Sequence, residues 1–314
     1  MRALTPASLT GLWAAVPTPW TQAGSLAEDT LAINCEILAQ RGADGIYTTD
    51  SDGEFYAIEL PEFQRLAKVF GEIAESLQVD VAMGVTWCNT KGIIERIKAA
   101  VDAGIPNVHV AFPFWMPLAS SDVKPFFEDL ANATPDSRWI HYAHPSTGPK
   151  LTGNDYAELA QTFPEQFIGT KLGTSDLMEL NEILVNSPRL AHFVVDTTIF
   201  PGFALGARGT YSYWFNTLPR WHRSFVDIAL KKDHDTAAEM QKKLLTWEFG
   251  HTFKLRRHGY RHGILGKARG ALTGLLVDTG ATRAPYQPIP EEQQAEYKEA
   301  FKKFWRDEIA EVDL

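Results

Sequence analysis

The chain has 314 residues, of which 45% are hydrophobic and 22% charged, with 39 acidic against 30 basic side chains and a formal net charge of −9. That length exceeds an average domain but suits a single α/β barrel with a large core, and the acidic balance argues against a nucleic-acid or anionic-membrane surface. Two cysteines, Cys35 and Cys88, leave no basis for a disulfide framework or cysteine zinc site; no apolar run nears the ~18 residues needed to span a bilayer and no signal core opens the chain, so a cytoplasmic protein is expected.

Short β-like runs alternate with helical ones along the chain. Residues 12–16 read as a strand ended by Pro17-Thr18-Pro19, and 29–40 carry apolar residues at helical spacing, closed by Arg41-Gly42. A strand over 45–49 precedes a helix over 60–76, with Pro61 suited to its first turn. The strand–helix pairs 79–84 and 91–103, 107–112 and 121–131, and 138–142 and 153–162 follow. Strands at 167–171 and 190–195 precede helices at 176–186 and 197–205, and 209–213 is the last strand. Strict alternation calls for a parallel sheet. Eight strand–helix units over about 220 residues predict a closed (β/α)8 barrel. A doubly wound open sheet is the alternative, but no G-x-G-x-x-G opens the first helix. From Leu218 the pattern is helical without strands, which gives a barrel over 1–223 and a C-terminal helical region over 224–314.

Lys171 ends the apolar run Phe167-Ile168-Gly169-Thr170 and is followed by Leu172-Gly173-Thr174. A lysine at the mouth of a buried strand loses hydration, which disfavours the ammonium, and a neutral amine can attack a ketone to form a Schiff base. The bland alternative is a strand-end lysine whose stem lies on the core while its head reaches water. Barrel active sites lie at the C-terminal ends of the strands. Tyr142 ends the fifth predicted strand and Lys171 the sixth, so the two are expected side by side at that mouth.

Several segments, in order, resemble the dihydrodipicolinate synthase / N-acetylneuraminate lyase superfamily of Schiff-base lyases. Thr18-Pro19-Trp20 with Gly24 is similar to its T-P-F…G opening, and Asp50-Ser51-Asp52-Gly53-Glu54 with Leu60 and Glu62 stands where it has G-T-T-G-E…L…E. Tyr142-Ala143-His144-Pro145 matches Y-N-x-P, and Lys171 heads a K-x-x-x-x-D segment. Gly206 to Ser212 with Asn216 resembles G-G-x-G-x-I-S…N, and Arg283-Ala284-Pro285 matches R-x-P. The resemblance implies a barrel with a helical tail, a homo-oligomer (tetramer or dimer), and no metal or organic cofactor. It makes Lys171 the Schiff-base lysine and Tyr142 the proton-shuttling phenol, a role typically worth ~10²–10⁴-fold in rate.

The departures narrow the chemistry. In the synthase the second motif offers two hydroxyls and backbone N–H groups to the keto-acid carboxylate; here Ser51 keeps one hydroxyl and Asp52 replaces the other. A carboxylate beside a substrate carboxylate is repulsive, so Asp52 must turn away, accept from a substrate hydroxyl, or carry a raised pKa; an Asx turn is the purely structural reading. The relay tyrosines of P-Y-Y are absent from Pro113-Phe114-Trp115-Met116-Pro117-Leu118, and Thr147 replaces the arginine that holds a second carboxylate, both against lysine-pathway synthesis. That segment looks like the P-M-W-L-P-L of the hydratase-aldolase branch, whose members split benzylidenepyruvates into an aldehyde and pyruvate. Trp115 would then stack an aryl group, unless it packs the loop or a neighbouring subunit, and Trp87, Tyr211 and Trp214 would widen the aromatic lining. His141 and His144 are no metal pair, because His141 points away from Tyr142 in a strand. The expected substrate-binding set is Ser51, Asp52, Trp115 and Tyr211. The expected reaction is lyase chemistry on a pyruvate adduct of a bulky aromatic aldehyde. A dehydratase of a deoxy-keto sugar acid and a non-catalytic keto-acid binder are the alternatives.

Overall fold

Period-two alternation sends one set of strand side chains into a barrel and the other toward its helices. In the computed structural model, which describes residues 1–309, eight strands do this: Gly11–Ala15 (β1), Gly45–Thr48 (β2), Asp80–Gly84 (β3), Asn107–Val110 (β4), Arg138–Ala143 (β5), Phe167–Leu172 (β6), Ala191–Val195 (β7) and Gly209–Ser212 (β8). Each pairs in parallel with the next, and β8 closes on β1. The connecting helices are Glu28–Gln40 (α1), Leu60–Leu77 (α2), Thr90–Asp102 (α3), Val123–Ala133 (α4), Gly153–Thr162 (α5), Leu177–Asn186 (α6), Ile199–Ala204 (α7) and Pro219–Leu230 (α8). The expected elements all form, with ends displaced by no more than two residues. Among the described residues, no helix is long and apolar enough to cross a membrane.

The alternation produces two apolar layers. One lies between the strands and the helices, with Leu12, Ala14, Ile46 and Val108 among its members. The other fills the barrel and is made by Trp13, Tyr47, Ile140, Phe193, Tyr211 and their neighbours, with Leu4 and Leu9 from the N-terminal segment. Trp13 meets Phe193 and Tyr211 edge-on, with ring centroids 6.3 and 5.9 Å apart. Glycine makes this filling possible: a Cβ at Gly45 would lie 2.4 Å from the Trp13 ring, and one at Gly209 2.3 Å from that of Phe193. Large rings thus plug the barrel and leave only its upper end for chemistry.

The helix α8 completes the eighth βα unit, so the division expected at 223/224 falls inside it and the appendage follows Leu230. The appendage runs through His234–Trp247 (α9), a π-helical segment Glu248–Thr252, Phe253–Arg257 (α10), His262–Thr273 (α11), Glu291–Phe304 (α12) and Arg306–Ile309 (α13). Trp214 is fully buried against Trp247, Phe301 and Trp305, and its indole donates to Glu248 at 2.8 Å. Its aromatic surface docks the appendage and does not line the mouth. Arg283 ties the far end back: it donates to Glu62 and to the carbonyls of Gly24 and Ala57 while lying 3.9 Å over the Trp20 ring. The outlying motif residues are therefore one structural clasp. The helix α11 packs on the turn that follows β2, where a Cβ at Gly266 would lie 3.3 Å from Asp52 Oδ1.

Candidate active site

The strands β5 and β6 set the centre of the site. Tyr142 and Lys171 are direct partners in their register, so both side chains enter the barrel at the same level. Lys171 is only 4% exposed, and the Tyr142 hydroxyl lies 3.0 Å from Ser51 Oγ. The ammonium nitrogen stands 4.1, 4.3 and 5.1 Å from the ring centres of Tyr47, Tyr142 and Tyr211, within cation–π range.

The desolvation expected of Lys171 is present, but so is a counter-ion that the sequence reading missed. Lys171 Nζ donates to Asp50 Oδ2 at 2.6 Å, and His109 Nδ1 lies 2.6 Å from the same oxygen. Asp50 and His109 are completely buried. Burial pushes the Asp50 carboxyl up, yet the Lys171 ammonium and His109 outweigh it and hold the group at about 2. Burial likewise holds His109 below its ordinary value despite the pull of Asp50. Facing a carboxylate, Nδ1 donates to Asp50, and Nε2 has no partner among the described residues. Burial, reinforced by the charge of Asp50, raises the Tyr142 phenol well above its usual value, so it works as a phenol.

Local backbone geometry puts Asp50 there. Thr49, a β-branched residue, takes φ +63°, which ends β2 and swings the chain inward. Its hydroxyl donates to the Gly84 carbonyl at 2.8 Å. Gly84, the last residue of β3, has no Cβ, and one there would sit 2.2 Å from Asp50 Oδ1. The 3₁₀ turn Ser51–Gly53 follows, presenting Ser51 to Tyr142. An aspartate in place of the family pattern's first glycine was the available signal for this residue. His109 left none, because a strand histidine inside a barrel looks like any core histidine.

Beside Tyr142 and Ser51 opens a cavity of about 250 Å³. Its walls are mostly apolar and aromatic: Phe55 and Tyr56 after the Ser51 turn, Phe114 after β4, and Tyr286 from the appendage. Phe55 contacts Phe114 edge-on at 5.8 Å, and Tyr56 contacts Tyr286 at 4.6 Å. His144 and His262 also border it, with their Nε2 atoms 3.2 Å apart. Burial pushes His144 down to about 4 and lowers His262 against the opposing charge of Asp52. At that distance one ring donates to the other.

The remaining expected site residues do not line this cavity. Asp52 is buried, with its carboxylate toward α11 at Gly266. Tyr211 lies within the barrel, against His109 and Phe193 at 4.6 Å each, with its ring centre 5.1 Å from Lys171 Nζ. Trp115 is 81% exposed, and its neighbour Phe114 borders the cavity instead. Trp87 is committed to the Arg96 guanidinium, 3.5 Å from its ring centre. Proximity to a strand end does not fix side-chain direction once the chain leaves the pleat, which is why Trp87, Trp115 and Trp214, all beyond their strands, are not placed as expected. His141 does face outward, bonded to the Tyr156 hydroxyl at 2.9 Å. Among the described residues, no group of three or more histidine, cysteine, aspartate or glutamate side chains is placed to hold a metal.

Comparisons with known proteins agree with this geometry. The model of the dihydrodipicolinate synthetase family matches residues 8–304. An N-acetylneuraminate lyase of Clostridium perfringens is 26% identical over 264 residues, covering 83% of this chain and 88% of the relative. A 4-hydroxy-tetrahydrodipicolinate synthase of Methanosarcina mazei is 26% identical over 301 residues, covering 93% and 97%. Among solved structures, the prophage protein YagE of E. coli K12, crystallised with pyruvate, superposes with a TM-score of 0.85 at 22% identity, covering 94% of this chain and 98% of that one.

Proposed function

This chain belongs to the dihydrodipicolinate synthetase family and is a class I lyase; from that premise we propose that it cleaves or forms a pyruvate adduct of a bulky aromatic aldehyde. The observation that carries the proposal is the meeting of two unlike surfaces at Tyr142. On one side stands a buried lysine in register with it, and on the other an aromatic-walled cavity.

In this reading Lys171 Nζ attacks the 2-oxo carbon and water leaves. Where the adduct is a benzylidenepyruvate, water first adds across the C3=C4 bond conjugated to the iminium, its hydroxyl to C4 and a proton to C3. The iminium then draws the electrons of the C3–C4 bond, which leaves an enamine of pyruvate and releases the aldehyde. Protonation and hydrolysis then return pyruvate and the free lysine. Tyr142, bonded to Ser51, carries the proton of the C4 oxygen, and His144 with His262 extends that path where the family's second tyrosine is missing. The substrate carboxylate is received by the Ser51 hydroxyl and the N–H groups of its turn, with the Asp52 charge directed to α11. Phe55, Tyr56, Phe114 and Tyr286 take the aryl group, with Trp115 exposed beside Phe114. Thr147 supplies no charge for a second carboxylate, which disfavours lysine-pathway synthesis.

Steady-state comparison of substrates tests this. Benzylidenepyruvate-type adducts should be cleaved with much higher kcat/KM than pyruvate adducts of aliphatic or sugar-derived aldehydes. Preference for a deoxy-keto sugar acid would replace the aryl reading with a dehydratase.

A further inference from the structure

We propose that Asp50 is a catalytic residue of this site, accepting a proton from Lys171 as the imine forms and then standing as counter-ion to the iminium, with His109 as the positioning residue that holds it. The inference rests on the lyase reading above and assigns a role that the motif positions alone do not.

An ammonium has no lone pair, so Lys171 must lose a proton before its nitrogen can attack. The hydrogen-bond acceptor at Nζ is Asp50 Oδ2, at 2.6 Å. The other groups facing Nζ are the rings of Tyr47, Tyr142 and Tyr211, whose phenols burial holds in the protonated form. None of them is a resident base. His109 presents its Nδ1–H to Asp50, which fixes the carboxylate and leaves Oδ2 shared between two donors.

Stability does not account for the arrangement. A buried ion pair gains little over apolar residues of the same volume, because desolvating two charges offsets their attraction. Asp50 Oδ1 has no hydrogen-bond partner among the described residues, which adds a further cost. The chain nevertheless accommodates the group through Thr49 at φ +63° and through Gly84, where any side chain would collide with Oδ1. Strained backbone, a reserved space and a half-satisfied carboxylate converge on one atom of the reacting lysine.

The proton count closes. Nζ starts with three hydrogens and ends, as the iminium, with one. Asp50 takes the first as the N–C bond forms at the keto carbon. The second leaves the nitrogen as the carbinolamine collapses, moving by way of Tyr142 and Ser51. The C–O bond breaks as the nitrogen lone pair forms C=N. The keto oxygen departs with both hydrogens as water, and Asp50 returns to a carboxylate facing the iminium cation. No oxidant, metal or further reactant enters.

The test is the rate at which cyanoborohydride fixes pyruvate on the full-length protein, read by intact mass. Asp50→Asn keeps the shape and removes the charge, and should slow trapping by at least about 10²-fold, the lower range of positioned acid–base groups. Asp50→Ala opens a space at Nζ, and added formate should restore part of its lost rate, an effect a purely structural carboxylate would not give. His109→Gln, which keeps an N–H for Asp50, should trap several-fold faster than His109→Leu. If Asp50→Asn does not fold by circular dichroism, Asp50→Ala with and without formate decides. Wild-type rates in either Asp50 variant would overturn the role of Asp50 and leave the lyase reading standing. A wild-type protein that fixes no 2-oxo acid would overturn both.

Discussion

The two ends of the site are built from different material. The keto-acid end, with Lys171, Tyr142, His109 and Asp50, comes from strand residues and the first residues beyond β2. It is buried, with Asp50 bonded to Lys171 and to His109 at 2.6 Å each and Tyr142 bonded to Ser51 at 3.0 Å. The aldehyde end, with Phe55, Tyr56, Phe114, His144, His262 and Tyr286, comes from loops and from the C-terminal appendage, and its walls are mostly apolar. The difference teaches where each property of the protein resides. In the proposed reading, reactivity is fixed by the pleat and register of the barrel, while substrate choice is carried by segments that can change without disturbing it.

Substitutions should separate the two ends. Lys171→Ala should remove turnover entirely, since no other amine lies in the site, and residual lyase activity above background would break the assignment. Tyr142→Phe should keep the pocket and some imine trapping while kcat falls by at least about 10²-fold, because the proton carrier is lost. Unchanged kcat in that variant would take Tyr142 out of the mechanism.

At the other end the effects should be smaller and selective. Phe114→Ala should cost roughly 1–3 kcal/mol in discrimination for aryl over aliphatic substrates, the scale of stacking on aromatic side chains. Its effect on pyruvate trapping should be slight. Trp115→Ala should behave similarly if that residue covers bound substrate. A shift in elution on a sizing column, with all substrates weakened alike, would instead assign Trp115 to contact with a second copy of the chain. Equal loss at both ends from Phe114→Ala would erase the distinction.

How much of this was legible follows the same division. The barrel could be read because eight apolar runs alternate with helical ones, and Tyr142 and Lys171 because both lie within strands, where register fixes direction. Beyond the strands, sequence position stops predicting orientation. Trp214 turns into the appendage core, Trp87 stacks on Arg96, and Phe114 takes the place expected of Trp115. The cavity wall supplied by His262 and Tyr286 depends on how α11 and the loop after it fold back, which local pattern does not encode. Asp50 was in plain view as a charge in a glycine position, but its partners come from β4 and β6, distant in sequence.

The smallest expected effect concerns acid stability. The folded Asp50 carboxyl sits at about 2, below its ordinary value of 3.8. A depressed carboxyl contributes stability that is fully present above its unfolded value and is lost as pH falls through the folded one. Wild type should therefore lose part of its stability between about pH 4 and pH 2, and Asp50→Asn should lose less over that window in denaturant titrations. Parallel curves for the two proteins would mean that the ion pair does not govern the group.

The most direct measurement of the central claim is borohydride reduction of the wild-type protein with a panel of 2-oxo acids, followed by peptide mass mapping. The account predicts one pyruvate-derived adduct on the peptide that contains Lys171, absent in Lys171→Ala. Absence of any adduct with every 2-oxo acid, or an adduct that persists in Lys171→Ala, would contradict it.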